Sequence, residues 1–177
     1  MMPDPHSIMS YILSTYKDSG KWNGQPFEYI KRISNTKVGD VGQSFVETYC
    51  GELGYTCRFP LDEETKKRKR QSPWDIDING IKFEIKSATE DVSGSFQFNH
   101  IRYHRLYDAL LCVGISPNDI YIGTWSKADL TTNKAGNLVS MEHGANASYK
   151  LTKRPNQLFP VSDLKERLDK LLRELEG

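Results

Sequence analysis

The sequence contains few cysteines and no long apolar run. Cys50, Cys57 and Cys112 are odd in number and lack the Cys-x-x-Cys spacing of structural zinc sites. A disulfide framework is therefore not indicated, and we expect a reducing compartment, the cytoplasm. The N-terminus also lacks a charged segment followed by an apolar one. These absences argue against membrane insertion and against secretion.

An excess of charge of one sign is also missing. The 24 lysines and arginines nearly balance the 23 acids, for a formal net charge of +1. Any surface that binds nucleic acid must then be local. One basic run, Lys66 to Arg70, has five consecutive cations. Within it, Lys67, Arg68 and Arg70 are candidates to contact DNA phosphates, and the alternative is a solvated loop.

Residues 73–88 carry the strongest local pattern of the chain. Asn79 and Gly80 separate two alternating apolar runs, which predicts a β-hairpin with a type I′ turn. Counting outward from the turn places Asp77 opposite Lys82, Asp75 opposite Glu84 and Trp74 opposite Ile85. One face of this hairpin is then apolar from Trp74 to Ile85, and the other gathers the charged residues.

The charges on the second face have two interpretations. Polar side chains on the open face of a hairpin are usually solvated, and Asp77 with Lys82 would form an ordinary cross-strand pair. Asp75 opposite Glu84 differs, because like charges directly across a ladder are destabilising. A bound Mg²⁺ would stabilise that pair, since this ion is commonly held by one or two carboxylates together with phosphate and water.

The order Pro73-x-Asp75, a short spacer, and Glu84-x-Lys86 on an apolar strand resembles the PD-(D/E)XK nuclease superfamily, which includes restriction endonucleases. The resemblance implies Asp75, Glu84 and Lys86 as catalytic residues. Asp75 and Glu84, with the Ile85 carbonyl, would hold Mg²⁺, for which Mn²⁺ is a possible substitute. Lys86 would orient water or offset developing negative charge. Asp77 is the alternative first ligand, and a structural salt bridge between Glu84 and Lys86 is the alternative role for the lysine.

The segment before the hairpin predicts a helix and then a strand. Apolar residues at i, i+4 spacing, followed by Gly54, indicate a helix over about 38–53 with a core-facing stripe of Val41, Phe45, Tyr49 and Leu53. The stretch from Gly39 to Glu47 resembles the helix before the metal site in these nucleases. Glu47 is therefore a further candidate for the metal site, although its angular position opposite the stripe favours solvent. A first strand is expected over 55–60.

Downstream of the hairpin, the sequence predicts a crossover helix over 96–106 and strands over 108–115 and 120–125. Gln97 and Arg102, on the predicted helix, are candidates for DNA contact because amide and guanidinium groups are the usual bidentate readers. Residues 162–176 form an amphipathic pattern with a leucine stripe that we expect in the core, the alternative being a dimer face. Short helical patches are expected over 6–17 and 27–33.

Together these patterns predict one nuclease domain over residues 1–177, with residues 1–36 as an N-terminal helical extension. The expected fold is α/β, with a restriction-endonuclease-like core of a mixed central β-sheet flanked by α-helices. The expected function is Mg²⁺-dependent hydrolysis of DNA phosphodiester bonds, by a type II restriction enzyme acting as a homodimer. A repair nuclease, a junction resolvase and a non-catalytic DNA-binding module are the alternatives, and residue types do not separate DNA from RNA.

Overall fold

A computed structural model describes residues 2–16, 20–69, 71–136 and 138–176. The helices are α1 (Pro5–Ser14), α2 (Asn35–Glu52), α3 (Lys127–Thr131) and α4 (Leu164–Glu176), with 3-10 turns at Glu28–Arg32, Pro155–Gln157 and Val161–Asp163. The strands are β1 (Cys57–Arg58), β2 (Ile76–Ile78), β3 (Ile81–Thr89), β4 (Phe96–Ile101), β5 (Ala109–Ile115), β6 (Ile120–Ser126), β7 (Val139–Ser140), β8 (Tyr149–Lys153) and β9 (Phe159–Pro160). Within this part of the chain, every helix is too short or too polar to cross a bilayer.

Six strands form the central sheet in the order β1-β2-β3-β5-β6-β9. β3 and β5 run parallel, and the other neighbours are antiparallel. Helices α2 and α4 contribute to the apolar core on one face of this sheet. The predicted α/β class with a mixed central sheet is therefore confirmed.

The hairpin of β2 and β3 has the predicted register. Ile76 pairs with Phe83, Asp77 with Lys82, and Ile78 with Ile81. Asn79 and Gly80 both have positive φ, at 51° and 94°, as a type I′ turn requires. The turn residues alone therefore fix which β3 residues lie opposite β2.

The prediction that Trp74 continues the apolar face of the hairpin was wrong. β2 begins at Ile76. The Trp74 side chain packs against a second apolar core, which lies on the other face of the sheet and includes Phe96 and Phe98, and Lys82 lies over the Trp74 ring. The chain leaves the ladder at Asp75, so side-chain alternation no longer applies to Trp74.

The prediction of a core-facing stripe on α2 is confirmed in part. Phe45, Tyr49 and Leu53 pack against the core as predicted, although they are only partly buried. The fully packed face of the helix is formed instead by Val38, Gly42, Val46 and Cys50, and Val41 is 42% exposed. The reason is Gly42, which brings the helix close to β3. A Cβ placed on Gly42 would lie 2.7 Å from the Cβ of Ser87 and closer still to its hydroxyl. Counting apolar side chains overlooks a glycine that faces the core.

The helix predicted over 96–106 was wrong, since β4 occupies Phe96–Ile101. β4 pairs with β8, and β8 with β7, to form a second, three-stranded sheet. Phe96, Phe98 and Ile101 are fully buried in a second core on the other face of the central sheet. The connection from β3 to β5 therefore passes through a strand of this second sheet.

The chain ends are helical near the predicted positions. Helix α4 buries Leu164, Leu168, Leu171 and Leu172 in the first core, as expected of a core stripe. Helix α1 begins after Asp4, whose carboxylate accepts a hydrogen bond from the backbone N–H of His6. Position 17, where the first helical patch was expected to end, lies outside the described residues.

Candidate active site

Asp75 lies at the point where the chain enters β2. Its backbone N–H donates to the Phe83 carbonyl over 2.8 Å, and its Oδ2 accepts from the Ile85 N–H over 2.7 Å. Asp75 itself precedes the paired residues of β2, so the predicted direct ladder pair with Glu84 is not formed. Its carboxylate is instead held against the backbone of β3.

Glu84 lies on β3 and is only 7% exposed. Its Oε1 is 3.1 Å from the Lys86 Nζ, and about a fifth of the lysine side chain is exposed. Its Oε2 is buried and has no hydrogen-bond partner among the described residues. A buried carboxylate oxygen without a partner is costly, and a bound cation would satisfy it.

Burial raises the pKa of both carboxyl groups. For Asp75, the Ile85 N–H and the Lys86 charge act in the opposite direction on the pKa but do not cancel the effect of burial. For Glu84, Lys86 lowers the pKa, while the negative charge of Asp75 raises it further. The two carboxylates are thus close enough to repel each other, a property that favours a cation between them.

Asp77, the alternative ligand, is engaged in the hairpin turn. Its Oδ1 accepts from the Gly80 N–H over 2.8 Å, and its backbone pairs with Lys82. This contact stabilises the turn and occupies one of the two carboxylate oxygens. Asp75 is the better candidate ligand because its carboxylate lies close enough to Glu84 to raise the pKa of that group.

A cleft of about 730 Å³ opens beside Asp75. One wall is the N-terminal half of α2, and the other is the segment that leads into β2. Its lining residues are Thr36, Asp40, Gln43, Ser44, Pro60, Arg68, Lys69, Ser72, Trp74 and Asp75. The cleft therefore joins the candidate active site to part of the basic run.

Glu47 contributes to this wall through Arg68. The two side chains form an ion pair, and the Arg68 guanidinium lies over the Phe59 ring at 4.3 Å. Only a fifth of the Glu47 side chain is exposed, so its expected placement in solvent was wrong. The prediction placed Glu47 opposite the stripe of Val41, Phe45 and Tyr49, but Glu47 directly follows Val46, which is fully buried. Its contact with Arg68 gives it a role in orienting that cation.

The other predicted DNA contacts are dispersed. Lys67 is exposed, and Arg68 is close enough to lower the pKa of Asp75, while Arg70 lies outside the described residues. Gln97, on β4, donates to Asp91 over 3.2 Å and lines a second cleft of about 520 Å³. Arg102 is paired with Glu142 at 3.4 Å, away from the carboxylates.

Two residues near the carboxylates were missed by the sequence interpretation. Arg105 is exposed, and its charge lowers the pKa of both Asp75 and Glu84. Tyr107 is buried near Glu84, whose charge helps to raise the pKa of the phenol, and its hydroxyl has no partner in the described chain. No local motif marks them. Arg105 lay in the segment predicted as a helix and Tyr107 lay just beyond it, and only the pairing of β3 with β5 brings these residues near Glu84.

The donor set fits a hard cation with few protein ligands. No group of three or more histidines, cysteines or acids in the described ranges could hold a metal ion. Two carboxylates are nevertheless sufficient for Mg²⁺ when phosphate and water complete its ligands. Asp75 and Glu84, with the unpartnered Oε2, meet that requirement.

Comparison with known proteins finds similarity at the level of structure. A scan of protein families finds no match, and a search of curated proteins finds none either. Among solved structures, the chain is similar to a bacterial homing endonuclease, I-Ssp6803I, with a TM-score of 0.47 and 11% sequence identity. The similarity covers 80% of this chain and 99% of that one.

Proposed function

We propose that this protein is a Mg²⁺-dependent DNA endonuclease of the PD-(D/E)XK type. The observation that carries the proposal is the buried Glu84, with one unpartnered carboxylate oxygen, between the half-buried Asp75 and Lys86. A merely structural ion pair of Glu84 and Lys86 would not need a second acid next to it. The resemblance in sequence order and the cleft lined by Arg68 and Lys69 support the same function.

Each residue would have a distinct role. Asp75 and Glu84 would hold the ion, and the Ile85 N–H fixes the orientation of the Asp75 carboxylate. The ion, when bound, would polarise the phosphoryl oxygen and lower the pKa of a water. Lys86 would exchange its contact with Glu84 for the scissile phosphate and offset the developing charge. Hydrolysis would leave a 5′-phosphate and a 3′-hydroxyl, as the family resemblance implies.

Cations around the carboxylates would bind the DNA backbone. Arg68, held by Glu47, and the exposed Arg105 lie close enough to the site to affect its pKa values. Arginine binds phosphate oxygens in bidentate fashion. Within this function we favour a type II restriction enzyme, because a chain of this length would cut both strands most simply as a symmetric dimer with two active sites.

The test is cleavage by wild type and by Lys86→Ala of duplex plasmid, branched DNA and RNA, with Mg²⁺, Mn²⁺ or EDTA. Lys82→Gln is the matched control, since Lys82 is an exposed lysine of the same hairpin that forms no ion pair with a carboxylate of the described residues. We expect metal-dependent cleavage by wild type and by Lys82→Gln, and a loss of at least about 100-fold in Lys86→Ala, typical of removing one transition-state contact.

Metal binding provides a second readout. Mg²⁺ at about ten times its Kd should stabilise the wild type by about 1.4 kcal/mol, and Glu84→Gln should abolish that stabilisation. Cleavage at one duplex sequence would support restriction, and preference for branched DNA would indicate a resolvase. DNA binding without cleavage in any metal would refute the nuclease proposal in favour of a non-catalytic module.

A further inference from the structure

A third cleft, of about 310 Å³, lies where β6 meets α4. Four cations and two acids line it: Lys134, Lys153, Arg167, Lys170, Asp129 and Glu174. Two aromatic side chains, Trp125 and Phe159, also line the cleft. Its lining shares no residue with the cleft beside Asp75, and its cations exceed its acids.

Arg167 lines this cleft, and no carboxylate among the described residues forms an ion pair with it. Its guanidinium lies over the Phe159 ring at 4.1 Å. Its Nε is buried and donates to no acceptor in the described part of the chain. Stacking fixes the plane of a guanidinium and leaves its N–H groups directed outward in that plane. A buried donor of this kind is stabilised by an anion that enters the cleft.

Lys153 is similarly ordered and half-buried. Its Nζ lies over the Trp125 ring at 5.6 Å, and burial lowers its pKa. Gly136, at φ +119°, makes room for it, because a Cβ there would be 2.8 Å from the Lys153 Nζ. No carboxylate in the described residues forms an ion pair with this lysine. The cleft thus contains two cations that aromatic rings position and that carboxylates do not neutralise.

The acids in the cleft are used elsewhere or remain exposed. Asp129 caps α3 by accepting from the Ser126 N–H at 3.2 Å, and it lies 3.8 Å from Lys134. Glu174 is exposed at the end of α4. β9 pairs with Tyr121 and Ile122 of β6. On this outer edge of β6, no strand of the described structure pairs with residues Gly123 to Trp125, which pair with β5 on their other side. The cleft is therefore open to a ligand along this edge.

We propose that this cleft is a phosphate-binding site, separate from the carboxylate pair, in which Arg167, Lys153 and Lys170 bind one phosphate or diphosphate group. Two sources share this chemistry, a nucleotide and the backbone of a nucleic acid. The register of the sheet relates the two sites. Cys112 of β5 pairs with Lys86 of β3 on one side and with Gly123 of β6 on the other. Because adjacent strands lie about 4.8 Å apart, Gly123, which lines the cleft, is about 10 Å from Lys86 across the sheet.

The first experiment measures binding of inorganic pyrophosphate by calorimetry at low ionic strength, without any divalent metal. Lys153→Met removes the charge and keeps an unbranched apolar stem over Trp125, and Lys170→Gln changes an exposed residue. We expect each to weaken binding about tenfold, the effect of losing about 1.4 kcal/mol of a charge-assisted contact. Lys165→Gln is the matched control, an exposed lysine of the same helix that pairs with Asp169 outside the cleft.

A second arm separates the two sources. Duplex DNA, single-stranded oligonucleotides and nucleoside diphosphates are titrated in EDTA against wild type and Lys153→Met, each variant being checked by circular dichroism. A nucleic-acid backbone as ligand predicts that the slope of log affinity against log salt falls by about one in Lys153→Met. A nucleotide as ligand predicts weaker diphosphate binding with unchanged DNA binding. Failure of wild type to bind pyrophosphate, or equal binding by every folded variant, would overturn the proposal whether or not the protein cleaves DNA.

Discussion

Replacing Gly42 by alanine tests how α2 is held against the strand that carries Glu84 and Lys86. In a helix, Gly→Ala alone is favourable by about 1 kcal/mol. The new Cβ would lie 2.7 Å from the Cβ of Ser87, a distance that real Cβ atoms essentially never show, so the helix or the strand must shift. Overpacking of this kind typically costs about 1–3 kcal/mol. We expect a cost near the upper limit, because the Ser87 Cβ is fixed to the strand backbone and cannot rotate away.

We therefore expect Gly42→Ala to lower the free energy of unfolding by about 2 kcal/mol. The assay is urea denaturation, in which this loss lowers the midpoint by about 1 M for a slope near 2 kcal/mol per M. Gly39→Ala is the control. It lies on the same helix with nothing within 4 Å of its Cβ position, and it should raise stability by about 1 kcal/mol.

A double-mutant cycle isolates the contact itself. In a Ser87→Gly background the obstructing side chain is gone, so Gly42→Ala should become stabilising, like Gly39→Ala. The coupling energy between positions 42 and 87 is then about 3 kcal/mol, at the upper end for residues in contact. If Gly42→Ala stabilises the protein that retains Ser87, the close approach of α2 to β3 is refuted.

Two further predictions concern titration and thiol chemistry. Because burial raises the folded-state pKa of Asp75, the folded chain binds more protons than the unfolded one between the two values, and stability falls as pH rises through that interval. Asp75→Asn should therefore be more stable than wild type near neutral pH in EDTA, with a flatter stability profile as pH rises above about 4, the ordinary pKa of an aspartate. Glu63→Gln, which changes an exposed acid, should follow wild type. An Asp75→Asn profile as steep as that of wild type would contradict this prediction. Among the cysteines, Cys50 and Cys112 are fully buried and Cys57 is partly exposed. A maleimide should accordingly label one thiol in the native protein, none in Cys57→Ser and three in wild type unfolded by urea, and labelling of native Cys57→Ser would contradict the buried positions.

Local chemistry accounts for the parts of the fold that the sequence predicted well. Asn79-Gly80 specifies its turn through positive φ angles that other residue pairs rarely adopt, so the hairpin register needs no distant information. The leucines of α4 repeat at helical spacing and contact the core as expected. In the site, Asp75, Glu84 and Lys86 could be named because all three belong to this hairpin or its border.

Non-local contacts account for the errors. Phe96 to Ile101 forms a strand because β8, some fifty residues further along the chain, pairs with it, and no window around β4 contains that partner. Arg105 and Tyr107 reach the carboxylates only through the pairing of β3 with β5. On α2, an apolar count assigned the core to Val41, because the closest packing is made by a residue without a side chain, Gly42.

The contiguity of Asp75, Glu84 and Lys86 in one hairpin has a consequence for how the protein can change over evolutionary time. The relative positions of the three side chains depend on a two-residue turn and on one hydrogen bond, which the Ile85 N–H donates to the Asp75 carboxylate. The clefts around them are built from α2, the segment before β2, β4 and α4, which are far apart in the chain. Insertions or substitutions in those outer segments can therefore alter which molecules are bound while the inherited hairpin remains intact.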